Sequence, residues 1–349
     1  MNLKRLLLGT AAALSAASAA DAADAIVMAV PEPMEYVRIC DVYGSGFFYI
    51  PGTETCMKIG GYYRFETRFD FTGGTMDWWN RFALGVDVRS ETEWGTLRGY
   101  TDTYFDYGWG TYAGVVAGAP ATISGYRSII DPEAMFIELI TASGTLRLGK
   151  ADAPYSRFLG WGGLNIIDAG VYSYYNSTEI SFTFTGSNGF SAIIALVEDA
   201  DRDYVPNIEG GILLSQGWGS AGLIAGYDEA TGTFGLKGAL TVAAPNGSAS
   251  FKLMPMYASG TAGGVYDITS PTGTNVNFSV LGSVAGALTP KVGAALTTQW
   301  FSDSAWLFQG ELQFTPVEDF LIVPSVTYTT PAGGSWTGLI RFQRTIPPA

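Results

Sequence analysis

The sequence contains no histidine. That absence removes Ser-His-Asp and Cys-His nucleophilic catalysis, imidazole proton relays and imidazole metal ligands. Cysteine is almost as scarce: Cys40 and Cys56 are the only two, too few for a thiolate metal cage. Charged residues make up only 15% of the chain, with a net charge of −13, a balance that argues against a nucleic-acid partner. After the N-terminal stretch no run of 18 apolar residues occurs, so no segment is built to cross a bilayer as a helix.

What is abundant is glycine, at 45 residues, and aromatic residues, at 14%. The N-terminus reads as a secretory leader: Lys4 and Arg5 precede a short apolar stretch, 6–17, and Ala20-Asp21-Ala22 forms an A-x-A cleavage site. Residues 1–22 are therefore expected to be removed, and 23–56 to form a periplasmic segment ahead of the main domain. Export permits disulfides, and Cys40 and Cys56 are expected to bond, closing a loop that the chain-entropy model values at ~3 kcal/mol.

The decisive pattern lies at 57–71. Odd positions carry Met57, Ile59, Tyr63, Phe65, Phe69 and Phe71, while even positions carry Lys58, Arg64, Glu66, Arg68 and Asp70. A strand has period two, so one face is apolar and the other charged. The pattern recurs with Phe82, Leu84, Val86 and Val88 against Arg81, Asp87, Arg89 and Glu91, and with Ile180, Phe182 and Phe184 against Glu179, Ser181 and Thr183. Later strands replace charge with Gly, Ser and Ala, which leaves their parity open. In a soluble sandwich the charged face would be outside; in a membrane barrel it lines the lumen. An exported, glycine-rich, aromatic chain without a spanning helix fits the barrel, because lipid forces every backbone group to pair between strands.

Seven tight turns are expected, at 93–94, 142–144, 186–188, 216–218, 245–247, 289–290 and 316–319. With a free strand at each end they give sixteen: 57–71, 81–92, 95–107, 133–141, 145–151, 173–185, 189–199, 207–215, 219–228, 233–244, 248–258, 275–288, 291–301, 305–315, 320–329 and 335–346. The expected fold is an all-β, 16-stranded antiparallel transmembrane β-barrel over 57–346, with an inward-folded third loop and a tail at 347–349. Long loops are read at 108–132, 152–172 and 259–274. Sixteen strands leave a lumen too wide for side chains to fill, so 152–172 is the candidate to narrow it. Aromatics near strand ends (Phe71, Tyr107, Tyr172, Phe190, Tyr227, Tyr257, Trp300, Phe301, Trp306, Phe314, Phe320, Tyr328, Trp336) are expected to form interfacial girdles.

Candidate pore residues follow from parity. Arg64, Arg68, Arg81, Arg89, Arg98 and Arg147 are expected to form a basic wall. Glu66, Asp70 and Asp102 share that wall, and Asp152 and Asp168 supply acidic partners on the inward loop. A basic wall facing an acidic loop makes a transverse field that passes polar solutes. Other readings are an enzyme using Glu66 and Asp70 as an acid–base pair, a structural or adhesive barrel, and a substrate-specific channel. The carboxylates are interleaved with Arg64 and Arg68, which fits a pore wall better than acid–base chemistry. No catalytic residue, cofactor or metal is expected.

The stretch EYVRICDVYGSGFFYIPGTETCMKIGGY (35–62) strongly resembles the N-terminal signature of the alphaproteobacterial porins, including its two cysteines. The resemblance continues in RFALGVDVRSETEWGTLRGYT (81–101), SFTFTGSNGFSAIIALVED (181–199), FTPVEDFLIVPSVTYT (314–329) and GLIRFQR (338–344). It departs at the C-terminus, where the last aromatic is Phe342 in place of the usual terminal one. The resemblance implies an outer-membrane homotrimer in a Gram-negative bacterium, with a third loop in the pore and passive diffusion of small hydrophilic solutes and ions. In that setting 108–132, rich in Gly, Ala and Val, is expected to latch a neighbouring barrel.

Overall fold

The computed structural model describes residues 38–116, 119–199, 201, 203–330 and 333–346, with side chains excepted at 111–123. The leader 1–22, residues 23–37 and the tail 347–349 lie outside the described residues. Sixteen barrel strands, with the two-residue strand Phe48–Tyr49 paired to the start of the first, build one antiparallel sheet: β1 Cys56–Asp70, β2 Thr75–Thr92, β3 Gly95–Val116, β4 Ala119–Thr141, β5 Gly144–Asp152, β6 Asn176–Thr185, β7 Phe190–Val197, β8 Asn207–Gln216, β9 Gly219–Asp228, β10 Thr233–Ala243, β11 Ala249–Ala258, β12 Phe278–Thr289, β13 Val292–Phe301, β14 Trp306–Val317, β15 Phe320–Thr329 and β16 Ser335–Ile346. Each strand pairs with the next. β16 then pairs with β1, from Thr337↔Asp70 to Ile346↔Gly61, and closes the barrel. All seven short turns fall on one rim, where the sequence places them. Among the described residues no helix is long and apolar enough to cross a membrane.

The barrel is inverted relative to a soluble core. Ile180 is 55% exposed while its neighbour Glu179 is 1% exposed, and Phe182 and Phe184 are likewise exposed beside buried Ser181. The charged face is thus the inside, as the alternation requires, and the apolar face is the one lipid would cover. At Gly61, φ is +144°, and a Cβ would lie 1.9 Å from the Ala83 carbonyl oxygen of β2. Glycine alone lets the two backbones meet there.

The structure corrects three expectations. Residues 108–132 are a continuation of β3 and β4 as one long hairpin, paired from Gly108↔Arg127 to Val116↔Ala119. Its Gly-Ala-Val composition suits a loop and a thin strand pair equally, and only pairing decides. Its tip, 117–118, lies outside the described residues, as do the 111–123 side chains. Secondly, β2 starts at Thr75, because Asp70↔Thr75 closes a tight hairpin at once. Thirdly, Tyr172 and Phe301 are 3% and 0% exposed and belong to the interior cluster, not to a girdle. Phe71, Tyr107, Phe190, Tyr227, Tyr257, Trp306, Phe314 and Trp336 do face outward, although Tyr107 now sits well inside β3.

A bulge in β4 re-aims its side chains. The register slips between Asp102↔Ala134 and Thr103↔Pro132, which leaves Glu133 unmatched. Before the bulge the exposed residues are Tyr126 and Ile130, and after it Met135 and Ile137, so the outward parity flips. Bulges rotate the strand in this way. Here it brings Glu133 within 2.7 Å of the Tyr174 hydroxyl, which donates to it.

Candidate lumen wall and internal segment

The inward faces of β1, β2, β3 and β5 carry the arginines that the sequence singles out, and each sits beside a carboxylate or an amide. Arg81 forms a bidentate pair with Asp106 (2.7 and 2.8 Å) and stacks 3.8 Å from the Tyr104 ring centroid. Glu66, buried, accepts from Arg68 (2.6 Å) and from Arg341 (2.8 Å). Arg64 donates to Gln343 (3.0 Å) and lies over Tyr62.

The longest arrangement is a belt running across the strands. Arg89 and Arg98 both hold Asp87, at 2.8 and 2.9 Å. Arg98 and Arg147 both hold Glu138, at 2.7 and 2.8 Å. Arg147 reaches Glu179 at 3.8 Å, and Arg157 closes on Glu179 at 2.6 Å. Five of the six arginines expected on this wall, all but Arg64, are matched by carboxylates on the same wall, and Arg64 meets the Gln343 amide. Among the described residues none of them pairs with Asp152 or Asp168. Asp152 instead accepts from Trp161 Nε1 (2.8 Å) and Tyr174 (2.9 Å), and Asp168 from Tyr172 (2.7 Å). Asp70 accepts from the backbone N–H groups of Thr72 and Gly73 at the rim turn. Asp102 borders a recess on the inward face with Gly60 and Gly85.

The connection 153–175 opens with α1 (Pro154–Arg157), one helical turn with proline at its start. Its irregular backbone needs partners, and inward side chains of β8–β14 supply them. Glu209 accepts from the Tyr155 backbone N–H (2.7 Å) and from the hydroxyls of Tyr175 and Tyr266. Lys237, fully buried, donates to the carbonyls of Tyr155 (2.7 Å) and Tyr172 (2.6 Å), and Lys252 donates to those of Gly160 and Trp161. Gln299 clamps Val171 through both its N–H and its C=O, at 2.7 Å each. Glu311 accepts from the N–H groups of Ile166 (2.6 Å) and Ile167 (3.1 Å). At Gly226 a Cβ would lie 2.3 Å from the ring of Tyr266, so the bare glycine admits that ring. Sequence reasoning missed Glu209, Lys237, Lys252, Gln299 and Glu311. The available signal was a single polar residue at one parity of an otherwise apolar strand, as in Phe251-Lys252-Leu253.

Two features lie at the ends. Cys40 and Cys56 are bonded, with Cα atoms 6.1 Å apart, as expected. They bury Phe47, and Tyr43 donates to Glu91 at 2.7 Å. At the opposite rim the carboxylates of Asp199, Asp201, Asp203 and Glu229 gather with oxygens within 4.8 Å of one another. Local desolvation, together with the charges of Asp203, Asp201, Asp199 and Asp228, pushes the Glu229 carboxyl above its ordinary range.

Residues 24–339 match the family model described as the porin subfamily. Over 381 residues, covering 99% of both chains, the sequence is 34% identical to the porin Omp2b of Brucella canis, and equally so to that of Brucella abortus (strain 2308). Among solved structures, the outer membrane channel DcaP of Acinetobacter baumannii superposes with a TM-score of 0.63 at 10% identity, covering 85% of this chain and 99% of that one. OprB of Pseudomonas putida at low pH gives 0.59 at 11% identity (83% and 92%). A triple mutant of Rhodopseudomonas blastica porin gives 0.55 at 13% identity (83% and 100%). These likenesses show the fold.

Proposed function

The chain belongs to the porin subfamily and is an outer-membrane porin of a Gram-negative bacterium, and from that premise we propose how its pore is built. The family and the names of its relatives point to a channel, not an enzyme. The segment 153–175 narrows the lumen from the β8–β14 side, and small hydrophilic solutes and ions diffuse between it and the arginine-bearing inner face of β1–β5. One observation carries this reading: the segment's backbone is clamped by inward side chains of β8–β14, while Arg64, Arg68, Arg81, Arg89, Arg98 and Arg147 lie on the other strands.

The arginines are balanced by Asp87, Asp106, Glu66, Glu138 and Glu179, so the wall attracts neither sign strongly and selectivity is weak. Asp168 supplies negative charge on the facing segment, and Asp152 supplies it at the end of β5, where the segment begins. A single channel in a planar bilayer with a steady, weakly selective conductance is the expected result; a sealed barrel would reject the reading. Residues 1–22 act as the leader, and 23–56 precede the barrel in the chain. A homotrimer is the proposed assembly, with the β3–β4 hairpin reaching the neighbouring barrel; light scattering of a stable monomer in mild detergent would reject it.

A further inference from the structure

The inward face near the disulfide holds a recess of about 450 Å³. Its floor is bare. Gly60 of β1 pairs with Gly85 of β2, and Gly85 pairs in turn with Asp102 of β3. Glycine inside a strand gives up packing and marks a place where something else approaches the backbone. The walls are aromatic: Tyr62 and Tyr100 rise from the barrel, and Phe47 comes from the disulfide-tied segment.

Two opposite charges stand at the ends of this floor. Lys58 lies 5.8 Å from the centroid of Phe47, and among the described residues it makes no ion pair. Its cross-strand partner Asp87 turns away to Arg89 and Arg98. Asp102, at the far end, has no lysine or arginine within ion-pair distance among the described residues, although three neighbouring carboxylates on the same wall are paired with arginine. The two stand two residues along and two strands across, with backbones about 12 Å apart by strand geometry. The recess thus offers a cation at one end, an anion at the other and a glycine and aromatic surface between, bordered by the Arg89–Asp87 ion pair.

We propose that this recess is a subsite for small zwitterions, with the solute's carboxylate on Lys58, its ammonium on Asp102 and its short carbon chain over the glycine floor. The proposal deepens the porin reading and rests on it. Conductance of the protein in salt alone tests the open pore, so its failure is distinguishable from failure of the subsite.

The test compares three solutes of one chain length: 4-aminobutyrate, butyrate and butylammonium, each titrated against single-channel current in a planar bilayer. The expected result is saturable current reduction by 4-aminobutyrate at a concentration at least ten-fold below that needed for either singly charged analogue. Lys58→Gln removes its advantage over butylammonium, and Asp102→Asn its advantage over butyrate. Lys291→Gln, in a turn on the barrel rim, leaves the titration unchanged. Both variants are read only as channels that conduct, which certifies folding. Equal effects of 4-aminobutyrate and butyrate, or a ten-fold preference that survives both substitutions, overturn the proposal.

Discussion

Lys237 donates to the carbonyl oxygen of Tyr155 at 2.7 Å while its ammonium lies 4.1 Å from the centroid of the same residue's ring. One side chain of the wall therefore grips both the backbone and the ring of α1. A buried lysine without a full ion pair is expensive, and it is retained because two carbonyls and two rings replace its water.

Lys237→Met is expected to free the start of 153–175. Each charge-assisted hydrogen bond lost is worth about 1.5–3 kcal/mol, and the carbonyls of Tyr155 and Tyr172 lose their partner. Sheet closure does not depend on this contact, so the barrel still assembles. Single-channel recordings should show larger and noisier conductance. Unchanged current traces would place the segment outside the conduction path.

The belt predicts charge-specific effects. Arg98→Ala takes one of the two arginines from each of Asp87 and Glu138 and should shift reversal potential toward cations under a salt gradient. Asp152→Asn with Asp168→Asn should shift it toward anions. If neither moves the reversal potential, neither the wall nor the segment borders the pore.

Loss of the disulfide should act locally. Barrel closure rests on strand pairing, and the Cys40–Cys56 bond lies ahead of nearly all of it. Cys40→Ser with Cys56→Ser should leave the heat-induced unfolding of the barrel unchanged while making 41–55 sensitive to protease. The entropic contribution at stake is ~3 kcal/mol. A drop in barrel melting of more than a few degrees would contradict this separation.

The rim carboxylates give a pH dependence. The Glu229 carboxyl sits above its ordinary range, so as pH falls it is neutralised before an isolated glutamate would be. The negative potential at that mouth therefore weakens at mildly acidic pH, and selectivity should decline in its cation component and shift toward anions there. Glu229→Gln should flatten the decline at its upper end; an identical pH profile in the variant would show that this cluster does not influence permeation.

The sixteen strands and seven turns were legible because alternation and turn residues are local signals. Phe182 beside Ser181 announces two environments without any partner strand in view. The β3–β4 hairpin was illegible for the opposite reason: Gly110, Gly114 and Gly125 mark no face, and only the register across the pair makes them strand. The arginines were found by parity, but their neutralisation was not, since Asp87 meets Arg98 of the neighbouring strand. The clamps were hidden furthest, because Gln299 and Val171 are 128 residues apart.

The sharing of carboxylates along the belt has a kinetic meaning. Asp87 and Glu138 each lean on two arginines, and Arg98 belongs to both. An anion drifting past can borrow Arg98 for a moment while Asp87 keeps Arg89 and Glu138 keeps Arg147. No exchange leaves a bare charge behind, so no position becomes a deep trap. In the proposed pore the wall would behave as a handrail: it can be touched anywhere along its length and released without effort, which is what rapid, undemanding traffic requires.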